Sequence, residues 1–325
     1  MNIVNIIFLQ VLLNLTILFF FDCLIKLINT YDLPDNKRKI HSKPTPLVGG
    51  YIFLFNIIIF LILKKWSISL LETQIIMCAS TFLLIGILDD KFNLSPYSKF
   101  ISLIVILLFF FNFRENVIIE NLKVYGNILN FGKNLGIFFS ILCVLLFVNA
   151  FNLFDGINLQ SSLYAAYILL YLFLKNSYFE IVLSLIIPLI LIIYLNSKNK
   201  IFMGDSGTLF LGSIISLIII ANHNEFKLLK VDEIFLLMFL PGLDMFRLFA
   251  QRILSGKNPF LGDREHLHHY FLSIYGYKYA IFLIILISIL PSLLNLFLKS
   301  QYIIIFFIIF YFSLVYFLKK NKLNN

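Results

Sequence analysis

The chain has 325 residues, 60% of them hydrophobic and only 13% charged, and its apolar residues fall in runs long enough to cross about 30 Å of hydrocarbon. A water-soluble fold is thereby excluded, and the chain reads as an integral membrane protein. Its formal net charge of +9 could answer an anionic ligand, but in a polytopic protein it is first of all loop charge that orients the helices.

About eleven spans are expected, near residues 4–30, 47–63, 73–88, 97–113, 134–153, 158–174, 179–195, 207–222, 232–254, 279–298 and 301–318. The first is read as a transmembrane helix rather than a removable signal. Its first basic residue is Lys26, and its apolar run is about twice the roughly 7–15 residues of a signal core. Cys23, Cys78 and Cys143 lie in apolar segments without CxxC spacing, so they are read as packing residues. The two longest connections, 114–133 and 255–278, leave no room for a soluble domain, and no fixed-period repeat is found. Residues 1–325 are therefore taken as one membrane domain. The 114–133 stretch alternates apolar and polar residues around Gly126-Asn127, which predicts a small surface hairpin. The expected fold is an all-α polytopic membrane protein with that hairpin and a site on its cytoplasmic face.

The side of the site follows from charge. The loops after spans 1, 3, 5, 7 and 9, with the C-terminal tail, carry more Lys and Arg than the other set, which places them in the cytoplasm and the N-terminus outside. Five unusual polar clusters all fall on that side: NKRKIHSKPTPLVGG (36–50), LDDKFNLSP (88–96), NAFNLFDGIN (149–158), FMGDSGTLFLG (202–212) and KNPFLGDREHLHHYF (257–271). Solubilising residues would be scattered over both faces. Clusters confined to one face imply a shared site.

Asp89-Asp90 could be a solvated helix end, but acids there oppose the helix macrodipole, so a compensating cation is expected. Neighbouring helical residues point about 100° apart, so one carboxylate could face a metal and the other a second ligand or a proton. Asn149, Asn152 and Asp155 recur every third residue where an apolar helix ends, a stripe that a simple polar cap does not account for. In GDSGT, Asp205 or Ser206 could be an ordinary N-cap. The same helix start also presents free N–H groups to a phosphate, with Asp205 turned to a hard cation. Four acids on three loops thus point to Mg²⁺ or Mn²⁺, completed by substrate phosphates, and so to phosphate chemistry.

The segment GDREHLHH (262–269) can be weighed against that. His266, His268 and His269 with Asp263 could supply a zinc site, but no cysteine helps and the spacing is unfamiliar for zinc. With Lys257 and Arg264 beside them, the histidines read as an anion grip. Lys37, Arg38, Lys39, His41 and Lys43 are either a positive-inside anchor or a shaped loop running through Pro44, Pro46, Gly49 and Gly50 into a helix. Asp244 and Arg247, at i and i+3 in a span, are costly in lipid unless paired or facing a cavity, and a structural ion pair would satisfy them.

These residues resemble a known family, the polyprenyl-phosphate N-acetylhexosamine-1-phosphate transferases (glycosyltransferase family 4). RKIHSKPTPLVGG looks like its first loop, LDDKFNLSP like its Asp-Asp loop, NAFNLFDGIN like its Asn-x-x-Asp-Gly motif and GDSGTLFLG like its Gly-Asp-x-Gly motif. HLHH resembles the WecA-like branch, whereas the peptidoglycan-precursor branch usually shows three consecutive histidines. The clusters occur in the family's order over nearly the whole chain.

The resemblance implies transfer of an N-acetylhexosamine 1-phosphate, N-acetylglucosamine first, from its UDP-sugar to undecaprenyl or another polyprenyl phosphate, with release of UMP. It further implies an inner-membrane location and a place at the start of a lipid-linked surface polysaccharide such as O-antigen. Asp89, Asp90, Asp155 and Asp205 would be catalytic, with Asp90, Asp155 and Asp205 on the metal. Asn152, Lys99, His41, Arg264, His266, His268 and His269 would hold substrate phosphates or nucleotide. Partners would be the UDP-sugar, the lipid phosphate and the membrane, with no nucleic acid; a homodimer is left open. One departure is Asn158, where many members carry a second Asp, which bears on sugar choice. The competing readings are the peptidoglycan-precursor transferase, disfavoured by HLHH, and a transporter or lipid flippase. Transporters place ionisable groups near the bilayer midplane, where only Asp244 and Arg247 would fit.

Overall fold

The computed structural model describes residues 3–34, 43–64, 68–112, 117–125, 127–176, 178–225, 228–259 and 264–324. His41, with Lys37, Arg38 and Lys39, lies outside the described residues, as does Asp263. In chain order the elements are α1 (Ile3–Phe19), α2 (Phe21–Ile28), β1 (Tyr31–Asp32), β2 (Thr45–Pro46), α3 (Gly49–Lys64), α4 (Leu70–Phe92), α5 (Pro96–Asn112), β3 (Asn121–Val124), β4 (Asn127–Asn130) and α6 (Gly132–Phe154). They continue with α7 (Gln160–Leu174), α8 (Phe179–Ser197), α9 (Gly204–Glu225), α10 (Val231–Leu237), α11 (Phe239–Leu254), α12 (Leu267–Leu294) and α13 (Ser300–Asn324). The protein is an all-α polytopic membrane protein, because in lipid a helix satisfies its own backbone groups.

Among the described residues six helices, α4, α6, α8, α9, α12 and α13, are long and apolar enough to cross a bilayer. A seventh crossing is counted if α1 and α2, bent by 79°, form one span. The helices α3, α5 and α7 are apolar but shorter. The predicted span at 232–254 is divided into α10 and α11 at Met238. The predicted hairpin pairs β3 with β4, from Asn121 opposite Asn130 to Val124 opposite Asn127.

Helix α9 is the axis of the molecule. It packs on α4, α6 and α3, and Phe210, Leu211, Ile214, Ile215, Leu217 and Ile218 are all fully buried. A helix apolar on every side is what such a position requires. Close approach is bought by glycine: a Cβ on Gly86 would lie 2.4 Å from Ser206 Cα, and one on Gly49 2.7 Å from Met203 Cα.

At the end where α9 begins, short backbone bonds tie the loops together. Leu47 N donates to Thr30 O at 3.0 Å, and Phe202 N to Pro46 O at 2.9 Å. The segment before α3 is thus stitched to the segment before α9. The connection expected over 255–278 is helical from Leu267 onward, with a kink at Gly276 (φ 75°, ψ 173°). Leu267, Tyr270 and Phe271 are buried at i, i+3 and i+4, the helical stripe that the interleaved histidines disguise.

Candidate active site

The C-terminal end of α4 meets the N-terminal end of α9, and the two acids there part ways. Asp90 accepts from Asp205 N at 2.8 Å, Ser206 N at 3.1 Å and Ser206 Oγ at 2.6 Å. It is the anion at the start of α9, in the place where the sequence suggested a substrate phosphate. Gly204 makes this contact: its φ is +73°, and a Cβ there would lie 2.7 Å from Asp90 Oδ2. The macrodipole conflict at the end of α4 is resolved by the opposite dipole of α9.

Asp89 turns the other way. Its Oδ1 accepts from Leu94 N at 2.8 Å, and its Oδ2 from Lys99 Nζ at 2.7 Å. The same ammonium donates to Asp205 Oδ2 at 2.8 Å, so α5 supplies the cation expected beside the acidic pair. Asp205 Oδ1 in turn accepts from Asn152 Nδ2 at 2.6 Å, and that nitrogen also lies 2.8 Å from Thr208 Oγ1. Helices α5, α6 and α9, remote from one another in sequence, are therefore locked together through Asp205.

Asp155 caps the end of α6 and accepts from Ser161 Oγ. Burial pushes its carboxyl up to about 6, against the lowering hydrogen bond from Ser161 and with the Asp205 charge acting in the same direction as burial. Asn149 is directed elsewhere, donating to Leu145 O at 2.7 Å within its own helix.

A cavity of about 1040 Å³ opens over these groups, with Asp89, Asp90, Asn152, Asp155 and Asp205 in its wall. It is large enough for a nucleotide-sized ligand. His269 also lines it, whereas His266 and His268 lie just behind, 6% and 3% exposed. The His268 ring presses on the Asp155-Gly156 loop, where a Cβ on Gly156 would come within 2.0 Å of Nε2. Arg264 is exposed and outside the cavity wall.

Asn196, Asn199 and Tyr277, which line the cavity, were not read from the sequence. Asn196 accepts from Leu159 N at 2.6 Å and donates to Ile201 O at 2.8 Å, fixing the loop after Asp155. Asn158, the position that departs from the family pattern, donates to Asn199, and Tyr277 OH donates to Asn158 O at 3.0 Å. Isolated amides in a polar loop carry no periodic signal, so only the fold reveals them.

Among the described residues no three His, Cys, Asp or Glu side chains form a ready-made metal cluster. Mg²⁺, however, is commonly held by one or two carboxylates, with waters and substrate phosphates completing the shell. Asp155 and Asp205 fit that arrangement. They line one cavity, and the Asp205 side chain remains 32% accessible there.

Fold and site together define a polytopic membrane protein with a carboxylate-, amide- and lysine-walled cavity at one end, of the kind suited to phosphate transfer. Comparison with known proteins narrows this: residues 73–223 match the family model for glycosyl transferase family 4. The chain is also similar to curated transferases. One is the undecaprenyl-phosphate alpha-N-acetylglucosaminyl 1-phosphate transferase of Salmonella typhi, 27% identical over 252 residues, 72% of this chain and 67% of that protein. The enzyme of the same name from Escherichia coli (strain K12) is 26% identical over 270 residues, 78% of this chain and 71% of the relative. A probable undecaprenyl-phosphate N-acetylglucosaminyl 1-phosphate transferase of Bacillus subtilis (strain 168) is 25% identical over 302 residues, 89% and 84% of the two chains. The resemblance drawn from the loop motifs is borne out.

Proposed function

We propose that the protein is a membrane phosphotransferase that moves N-acetylglucosamine 1-phosphate, or a close N-acetylhexosamine 1-phosphate, from its UDP-sugar to undecaprenyl or another polyprenyl phosphate. The product would open synthesis of a lipid-linked surface polysaccharide such as O-antigen. The observation that carries this reading is Asp205, bonded at once to Lys99 and Asn152 and sharing a cavity wall with Asp155. It is supported by relatives whose names state that reaction.

An oxygen of the lipid phosphate attacks the phosphorus that bears the sugar. The bond from that phosphorus to the bridging pyrophosphate oxygen breaks, and UMP leaves with the electron pair. Such transfer depends chiefly on positioning and electrostatics. Asp155 and Asp205 would hold Mg²⁺ or Mn²⁺, which when bound neutralises the pyrophosphate and the developing charge on UMP. Lys99 supplies a fixed positive charge beside Asp205, and Asn152 orients that carboxylate. Asp89 holds Lys99 and lies in the cavity wall, and it would position or deprotonate the lipid phosphate. Asp90 acts through α9, fixing the backbone from which Asp205 projects. His269 reaches the cavity and would contact phosphate.

The topology that accompanies this reading has eleven crossings: the bent α1–α2 pair, α3 to α9 singly, the broken α10–α11 pair, α12 and α13. It would put the cavity at the cytoplasmic surface of the inner membrane, in keeping with the excess of Lys and Arg in the loops on that side. The test incubates membranes containing the protein with Mg²⁺, polyprenyl phosphate and a panel of radiolabelled UDP-N-acetylhexosamines, following label into lipid and release of UMP. One donor should label the lipid, and Asp205→Asn should abolish that label. Folded protein that labels no lipid with any donor would return the reading to transport.

A further inference from the structure

Behind the cavity, α11, the start of α12 and α13 meet in a buried polar knot that the transfer chemistry does not use. Asp244, 5% exposed, divides its oxygens between two sets of partners. Oδ1 accepts from Arg247 Nη2 at 2.8 Å and from Tyr311 OH at 2.6 Å, while Oδ2 faces His266 Nδ1 at 2.8 Å. Tyr311 OH also accepts from Arg247 Nε at 2.8 Å, and Arg247 Nη2 reaches Glu265 O at 2.6 Å. A carboxylate can only accept, so the bond fixes the proton on His266 Nδ1. A knot of this kind costs more to bury than apolar side chains of the same volume, so stability alone does not explain it.

What it achieves is placement of the histidine segment. The ring of His266 stacks on that of His268, with centroids 5.3 Å apart and planes at 10°. His268 presses on Gly156, next to Asp155, and His269 enters the cavity. A continuous run of bonds and ring contacts therefore leads from Tyr311, far along the chain, to the loop that carries Asp155.

We propose that Asp244, braced by Tyr311 and Arg247, is a positioning residue that anchors His266 and so sets His268 and His269 against the Gly156 loop and the cavity. Its catalytic consequence rests on the transferase reading; the anchoring itself does not. Tyr311 makes a clean test, since it is fully buried and phenylalanine would fill the same space without the hydroxyl.

The experiment uses the purified full-length chain and reads amide hydrogen exchange over residues 264–272 beside transfer turnover. Tyr311→Phe and Asp244→Asn should each speed exchange in that segment by about tenfold, with exchange in α4 and α9 unchanged, because one bond to a charged group is lost locally. Turnover should fall by a similar factor, and combining Asp244→Asn with His266→Ala should cost no more than His266→Ala alone, since both remove one interaction. Unchanged exchange in Tyr311→Phe, which retains the ring packing even where Asp244→Asn fails to fold, would overturn the anchor. Additive losses in the double variant would overturn its action through His266. A wild-type protein without transfer activity would refute the transferase reading, and the exchange result would still decide the anchor.

Discussion

Asp155 shows how a single side chain can be held at a cost to the fold. Its carboxyl is raised from the usual 3.8 to about 6, chiefly by burial, so its charged form is destabilised by folding. The sign follows from linkage. The penalty is full above about pH 6, where the folded protein holds a carboxylate, and vanishes below about pH 4, where folded and unfolded chains are both protonated. Asp155→Asn is therefore expected to stabilise the metal-free protein by about 1–2 kcal/mol at pH 7.5 and by almost nothing at pH 4. Thermal melts of both forms at the two pH values check this, and an Asn variant less stable at pH 7.5 would contradict it. The residue type and its place at a helix end were legible in the sequence. Its partner Ser161 was not, because a serine six residues on inside an apolar helix start is indistinguishable from a packing residue.

At the scale of elements, the junction of α4 with α9 carries the site. Asp90 serves as an N-terminal cap supplied by another helix, with three acceptor bonds where an ordinary cap has one. Asp90→Ala should cost about 2–3 kcal/mol and displace Asp205 as well. Gly86→Ala should be destabilising by about 1–3 kcal/mol, since its Cβ meets backbone atoms of Asp205 and Ser206 that cannot turn aside. Denaturation in detergent measures both, and a wild-type melting point for either would refute the junction as described. Apolar runs and turn residues made the helices themselves readable. Asp90's three bonds to the start of α9 could not be read from the sequence, because a side chain's partner across a helix junction leaves no trace in local pattern. Also missed were the early start of α12, where histidines interrupt an otherwise helical stripe, and the break at Met238, although Pro241, which has no N–H to give the Leu237 carbonyl, stands three residues beyond it.

For the whole molecule, the inference from sequence that carried furthest was that polar clusters confined to one face mean one site. The structure gathers residues from four of those clusters, Lys43, Asp89, Asp155 and Asp205 among them, and His269 from the fifth, around one cavity. Chelation is the corresponding test. EDTA should reduce sugar-phosphate transfer to background, and added Mg²⁺ should restore it, because two carboxylates alone cannot neutralise a pyrophosphate. Transfer that persists in EDTA would remove the metal from the proposal. Distances, cavity volume and the bent α1–α2 pair lay beyond the sequence, since each depends on how helices far apart in the chain settle against one another.

The buried knot at Asp244 has a temporal meaning as well as a spatial one. Helices α3, α4, α6 and α9, which carry or support the acidic wall, all precede α13 in the chain, and Tyr311 joins Asp244 only from α13. During synthesis the acidic half of the site can therefore assemble while the histidine segment still lacks its last bond. The anchor would be completed only with α13, so a nascent chain stalled before Tyr311 would sit in the membrane with its acidic wall in place and its histidine segment loosely held.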